Sequence, residues 1–297
     1  MSTPVTRPAT KLATKGDARH VHTMPRRVTR LAAAGALRHI NRAICLGACG
    51  STQDEALLLA AGTPGLLVSA DQQQSGRGRL GREWADAGGL GIAATFVLDA
   101  REHLSELVSL ACGLAACIAC ERACASGALP STSQSRRTPG PRCGAGLKWP
   151  NDVVECLSQA LPGRKLAGVL VERRGDLLLA GVGINVAQQE ADFPPELRTR
   201  AASLEMIGAR AHRLTTLTDL TIALDRALRM SRDAIVAAWL ARDLVTGREA
   251  TFEHDGQHYG GRVVSIHPLG EIEVRTDASR FARLPAMQTT MVPGTLR

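Results

Sequence analysis

Aromatic residues are scarce in this chain of 297 residues, with three Trp, one Tyr and four Phe. The uncharged stretch from Leu107 to Cys120 has 14 residues, where a bilayer-spanning helix needs about 20, so no membrane span is expected. A secretory signal is also lacking: the twin arginines Arg26 and Arg27 precede an apolar run, Leu31 to Leu37, that Arg38 and His39 interrupt after seven residues. The eight cysteines (45, 49, 112, 117, 120, 124, 143 and 156) follow no disulfide framework. They read as reduced thiols of an intracellular protein. Cys117, Cys120 and Cys124 share one helical face, but no His neighbours them, so they read as core packing and not as a metal site. No internal repeat is present. These absences exclude an integral membrane helix, a secreted disulfide scaffold and a solenoid. With 44% hydrophobic residues the chain is not disordered, and its length suggests two domains.

The formal charge of +8 is unevenly spread. Residues 1–30 carry seven basic residues and one acid, and residues 131–144 add Arg136, Arg137 and Arg142, which leaves the rest at −1. The folded part is therefore near neutral. Residues 1–40 read as a disordered basic tail, and nucleic-acid binding by it is the weaker reading. A cytoplasmic protein is expected, with an organellar transit peptide left open by the Arg-rich, acid-poor start.

Apolar alternation predicts strands at Ile44–Cys49, Gly65–Ala70, Gly91–Leu98, Gly146–Val154, Lys165–Arg173 and Leu177–Val186. Residues 101–125 read as a buried core helix, and Leu214 to about Leu244 as one long helix. Residues 130–146 read as an exposed insert of Ser, Pro, Arg and Gly. After Gly247 short alternating runs punctuated by Gly suggest a small β-barrel. The fold class is α+β: a mixed sheet with packed helices over residues 41–246, and the barrel over 247–297.

Three clusters carry chemistry. Gln73-Gln74-Ser75-Gly76-Arg77-Gly78-Arg79-Leu80-Gly81-Arg82-Glu83-Trp84 places three arginines within six residues among glycines that let the backbone approach a ligand. Arginine forks suit phosphate or carboxylate, so this loop is built to hold an anion. Lys148-Trp149-Pro150-Asn151-Asp152 offers a cation, an amide able to read a purine edge and a carboxylate able to hold Mg²⁺. In Lys165-Leu166-Ala167-Gly168 one lysine opens an apolar strand, where its charge could let two anions approach each other.

With Ser51-Thr52 after the first strand and Gly181-Val182-Gly183-Ile184-Asn185 further on, these motifs, in this order, resemble the biotin protein ligases over about residues 44–290. The resemblance implies a ligase domain like that of class II aminoacyl-tRNA synthetases, followed by an SH3-like barrel. It implies that biotin and ATP form biotinyl-5′-AMP, which a lysine of a biotin carboxyl carrier domain then attacks. By the same resemblance Ser51, Thr52 and Gln73 serve the ureido head of biotin. Gln53, Arg77, Gly78, Arg79, Lys165 and Gly168 complete the biotin site, and Arg77, Arg79 and Lys165 are the catalytic candidates. ATP or adenylate falls to Arg79, Arg82, Trp84, Lys148, Asn151, Lys165 and Asn185, with Trp84 stacking on adenine, and the metal, Mg²⁺, falls to Asp152.

The family usually has Asn after Ser-Thr; Gln53 keeps the amide and adds a methylene. About fifty residues precede Ser51, fewer than a winged-helix domain needs, so the resemblance is to the monofunctional ligases, and DNA binding is not expected. A homodimer is compatible with the sequence. Two rival readings stand: a lipoate–protein ligase, which shares fold and lysine, and a basic nucleic-acid-binding module.

Overall fold

A computed structural model describes residues 28, 30, 31, 36–127, 144–157, 160–276, 280–286 and 288–297. The expectations for residues 1–27 and for most of the insert lie outside them. In chain order the first elements are β1 (Arg42–Cys49), α1 (Thr52–Ala60), β2 (Leu66–Gln73), β3 (Gly76–Arg77), β4 (Glu83–Trp84), β5 (Gly91–Asp99) and α2 (Ser105–Gly127). Then come β6 (Ala145–Lys148), β7 (Asp152–Cys156), β8 (Pro162–Arg174), β9 (Leu177–Asn185), α3 (Arg213–Ala227) and α4 (Arg232–Leu240). The chain closes with β10 (Glu249–His254), β11 (Gln257–His267), β12 (Glu271–Thr276), β13 (Phe281–Pro285) and β14 (Thr289–Met291).

Seven strands form one mixed sheet in the order β1-β2-β5-β9-β8-β7-β6, parallel only between β1 and β2. The alternation along β5 shows how its faces are assigned. Ile92, Ala94, Phe96 and Leu98 join the main core with α2, while Val97 packs in a second, smaller core with Ala56 and Ala60 of α1. That period of two sends Ala93 and Thr95 to the α1 face. The helices α2, α3 and α4 cover the other face, and α1 packs on the site side.

A second sheet, antiparallel in the order β13-β12-β11-β10-β14, follows the helices. Its interior residues Phe252, Val263, Ile272 and Val274 join the main core, and Trp149 meets Phe252 edge-on with ring centroids 6.3 Å apart. The two parts therefore share one apolar interior.

Five expectations change. The long helix read from Leu214 to Leu244 is two helices, because α3 ends at Ala227 and Ser231 caps α4 by accepting from the Ala234 N–H. The strand read over Gly146–Val154 is a hairpin: β6 and β7 are joined across Trp149, Pro150 and Asn151, with Trp149–Pro150 in the cis form. Gly146 belongs to β6 and not to the insert. Residues short of 41 are not all unpacked, since Val28, Leu37 and Ile40 are buried, and Asp225 accepts from the backbone of Arg38 and His39 at 2.7 and 2.8 Å. Finally, Cys124, in the last turn of α2, is disulfide-bonded, whereas Cys45, Cys49, Cys112, Cys117, Cys120 and Cys156 carry thiols outside any disulfide.

Helix α2 is long and apolar enough to cross a bilayer by length and composition, unlike the 14-residue stretch read from sequence. Val108, Ala111, Ala115 and Ala119 are fully buried by the sheet and the helices packed against it, so its apolar surface is already covered. Cys117 and Cys120 lie in that interior, and burial pushes the Cys120 thiol up to about 12. Among the described residues no group of three or more His, Cys, Asp or Glu is placed to hold a metal ion.

Candidate active site

The α1 face of the large sheet is bare in its middle because the residues there are small. Lys148, Asp152, Gly168, Gly183 and Ala93 follow one another in register across β6, β7, β8, β9 and β5, and the next row along the strands holds Leu170, Gly181 and Thr95. The glycines are needed for close approach. A Cβ on Gly183 would lie 2.5 Å from the Trp84 ring, one on Gly168 2.9 Å from Lys165 Nζ, and one on Gly181 2.9 Å from Gln53 Nε2.

Over this shelf folds the arginine loop, a small hairpin in which Gly76 pairs with Trp84 and Arg77 with Glu83. Leu80 (φ 56°) and Gly81 (φ 71°) make its left-handed tip. A side chain at Gly76 would meet the Trp84 carbonyl at 2.6 Å, which explains that glycine.

Two connected cavities result. The smaller, about 60 Å³, is lined by Ser51, Thr52, Gln53, Gln73, Arg77 and the glycine shelf. The larger, about 770 Å³, opens between the two sheets and is lined by Arg82, Lys148, Asp152, Arg200 and Met291 among others. Gly78, Arg79, Trp84, Asn151 and Lys165 line both, so Lys165 stands at their junction.

Ser51 caps α1, accepting from the Gln53 N–H, and sets Thr52 and Gln53 in the first helical turn. The Thr52 N–H and hydroxyl both donate to Gln73 Oε1, at 2.8 and 2.9 Å. Gln53 Nε2 donates to the Leu170 carbonyl at 3.0 Å, so the added methylene carries its amide to the backbone of β8.

The three arginines differ. Arg77 forms a two-pronged pair with Asp54 at 2.7 and 2.8 Å, which raises the Arg77 pKa and lowers that of Asp54. Its charge is thus already matched, a partner the sequence did not reveal. Arg79 is half-buried, and that burial draws its pKa down; it donates to Asn151 Oδ1 at 3.2 Å and to the Ala286 carbonyl beyond β13. Arg82 lines only the larger cavity.

Lys165 Nζ lies 2.6 Å from Asp152 Oδ1 and 5.6 Å from the Trp84 ring centre. Burial lowers the Lys148 pKa, Asp152 opposes that shift, and the nearby charges of Lys165 and Arg200 add to it. Asn151 donates to the Val169 carbonyl and accepts from Arg79. Asn185, expected at the adenine, has both ends of its amide engaged inside the protein: Nδ2 donates to the carbonyls of Ala202 and Lys165, and Oδ1 accepts from Gln188. Trp84, expected to stack on adenine, lies across Gly168 and Gly183. Arg200 and Thr95 were missed, and Gly181 was read as part of a motif without a role in the site. The Gly-x-Gly spacing was a legible signal for the shelf, whereas an isolated Thr in a strand and an Arg in a turn give none.

Electrostatically, cations at Arg79, Arg82, Lys148, Lys165 and Arg200 converge on the junction and the larger cavity. The smaller cavity is polar at its floor and lined by uncharged residues save for the two loop arginines and Lys165 at its mouth. Such an arrangement can hold a neutral polar head in one compartment and a polyanion in the other, with a lysine where they meet.

Residues 47–188 match the biotin/lipoate A/B protein ligase family. The chain is 32% identical over 227 residues to the biotin–[acetyl-CoA-carboxylase] ligase of Mycobacterium tuberculosis, covering 73% of this chain and 75% of that protein. It is 33% identical over 145 residues to the bifunctional ligase/repressor BirA of Bacillus spizizenii, 47% of this chain but only 38% of that longer relative. The chain thus spans less than half of the bifunctional proteins it matches. The biotin protein ligase of Aquifex aeolicus, solved in complex with biotin and ATP, superimposes with a TM-score of 0.68 at 26% identity, covering 85% of this chain and 99% of that one.

Proposed function

The chain belongs to the biotin protein ligase family, and on that premise we propose that it is an ATP-dependent ligase which activates biotin to biotinyl-5′-AMP and passes it to a lysine of a biotin carboxyl carrier domain. The observation that carries the reading is Lys165, standing where a small polar cavity meets a large cationic one.

The chemistry follows from charge. A biotin carboxylate oxygen attacks the α-phosphorus of ATP, a bond to phosphorus forms, and pyrophosphate leaves. Both reactants are anions, so positioning and fixed positive charge supply most of what the step needs. Lys165 lies between them, with Lys148 and Arg82 for the phosphates. In the second step the neutral amine of the carrier lysine attacks the acyl carbon and AMP leaves. No side-chain nucleophile is required. The polar floor made by Ser51, Thr52 and Gln73 takes the ureido head, and the hairpin bearing Arg77 and Arg79 covers the acyl phosphate and excludes water from it. Trp84 and Asn151 border the nucleotide compartment; the commitments of Asn185 make it a support of that wall.

Asp152 faces the same compartment and would hold Mg²⁺. A single carboxylate suits a magnesium ion that keeps its waters and the nucleotide phosphates as its other ligands, and the metal would neutralise phosphate charge.

In this reading residues 41–246 form the catalytic domain and residues 247–297 a small SH3-like barrel, the five-stranded sheet whose Ala286 carbonyl receives Arg79.

Exchange of labelled pyrophosphate into ATP tests the first step. Exchange that depends on biotin is the expected result; exchange driven by lipoate and not by biotin would move the protein to the sister activity.

A further inference from the structure

Behind the floor of the small cavity, and not lining it, lies Thr95 of β5, which is 0% exposed. Its Oγ1 is 2.9 Å from Thr52 Oγ1, which is 2.9 Å from Gln73 Oε1, and the Thr52 backbone N–H is 2.8 Å from the same Oε1. The direction of every bond in this chain is determined. A backbone N–H only donates, so the atom it meets is the oxygen of the Gln73 amide, and the amide nitrogen points away. An amide oxygen only accepts, so the Thr52 hydroxyl proton is committed to it. Thr52 Oγ1 then has only lone pairs left, and Thr95 must be the donor.

The result is a polarised relay from Thr95 through Thr52 to Gln73. Thr52 and Gln73 both line the cavity, so the relay leaves a ligand there one acceptor, Thr52 Oγ1, and one donor group, the Gln73 N–H₂. An acceptor next to a donor complements an N–H next to a C=O, the edge of a cyclic urea. On the reading of this cavity as the biotin head-group site, we infer that Thr95 is a positioning residue for substrate recognition: by donating to Thr52 it holds that hydroxyl as an acceptor for a ureido N–H. Position 95 faces Gly181 in register, on the shelf side of the sheet. Valine would fill the same space, so what threonine contributes is the hydroxyl.

The test uses the full chain and biotin-dependent pyrophosphate exchange with wild type, Thr95→Val and Thr95→Ser. Loss of one neutral hydrogen bond corresponds to roughly a five- to tenfold change in affinity. The KM for biotin is expected to rise by about that factor in Thr95→Val, with kcat and the KM for ATP within about twofold of wild type, and Thr95→Ser is expected to restore it. In a Thr52→Ala background the same Thr95→Val change is expected to have no further effect, because the relay is already cut. A purely structural role would instead add to the Thr52→Ala loss and leave Ser no better than Val. Should Thr95→Val melt early, Thr95→Ala set against Thr95→Ser carries the same comparison.

A biotin KM within twofold of wild type in Thr95→Val, or additive losses in the double variant, overturns the inference. Wild type that shows no biotin-dependent exchange overturns the underlying reading of the cavity instead, and the two failures are distinguished by the wild-type measurement alone.

Discussion

Replacing Arg79 with alanine should release the adenylate into solution. The Arg79 guanidinium is buried enough to lower its pKa, it makes hydrogen bonds to Asn151 and Ala286, and no carboxylate forms an ion pair with it among the described residues. Asp152 acts on it only through space. A desolvated cation whose only partners are neutral oxygens is poised for an anion, and an acyl phosphate supplies one. A hydrogen bond to a charged group is worth about 1.5–3 kcal/mol, which at 1.4 kcal/mol per factor of ten predicts adenylate loss roughly 10- to 100-fold faster. The assay forms the adenylate from biotin and α-labelled ATP, removes free nucleotide by rapid desalting and follows retained label with time. Arg79→Lys keeps a charge but loses the fork and the reach to both partners, so it should fall between wild type and Arg79→Ala. Equal retention half-times in wild type and Arg79→Ala would contradict this, since the half-buried charge would then hold nothing.

Two further outcomes follow from the site and the core. Burial places the Lys148 pKa below its usual 10.5, so its charge is present below the lowered value and lost as pH rises through it; the KM for ATP should climb on the alkaline side before a free lysine would titrate, and that limb should vanish in Lys148→Gln. Gly146→Ala should overpack the core, because its Cβ would lie 2.5 Å from Leu244 Cδ1; a loss of about 1–3 kcal/mol is expected, read as a lower melting temperature.

Much of this site was legible because its chemistry depends on short stretches of contiguous sequence. The arginine loop, Lys148 to Asp152 and Lys165 to Gly168 are each a few residues long, and all line the two cavities. What escaped are partners that only the sheet brings together. Asp54 lies 23 positions from Arg77, and Thr95 lies 43 from Thr52. In a strand interior Thr95 looks like any β-branched residue, because its hydroxyl bond is invisible to alternation. The division of α3 from α4 was written locally, in Ser231 followed by Asp233, but continuous apolar spacing through Leu228 and Ile235 hid the break. The packing of Val28, Leu37 and Ile40 was masked by the basic residues around them.

In the proposed biotin-activating ligase Lys165 joins the two compartments. The most direct test is the transfer of labelled biotin, with ATP and Mg²⁺, to a purified biotin carboxyl carrier domain and to its acceptor-lysine variant, using wild type and Lys165→Ala. The account predicts labelling that needs ATP, the acceptor lysine and Lys165 together. Full labelling by Lys165→Ala, or transfer of lipoate in place of biotin, would contradict it.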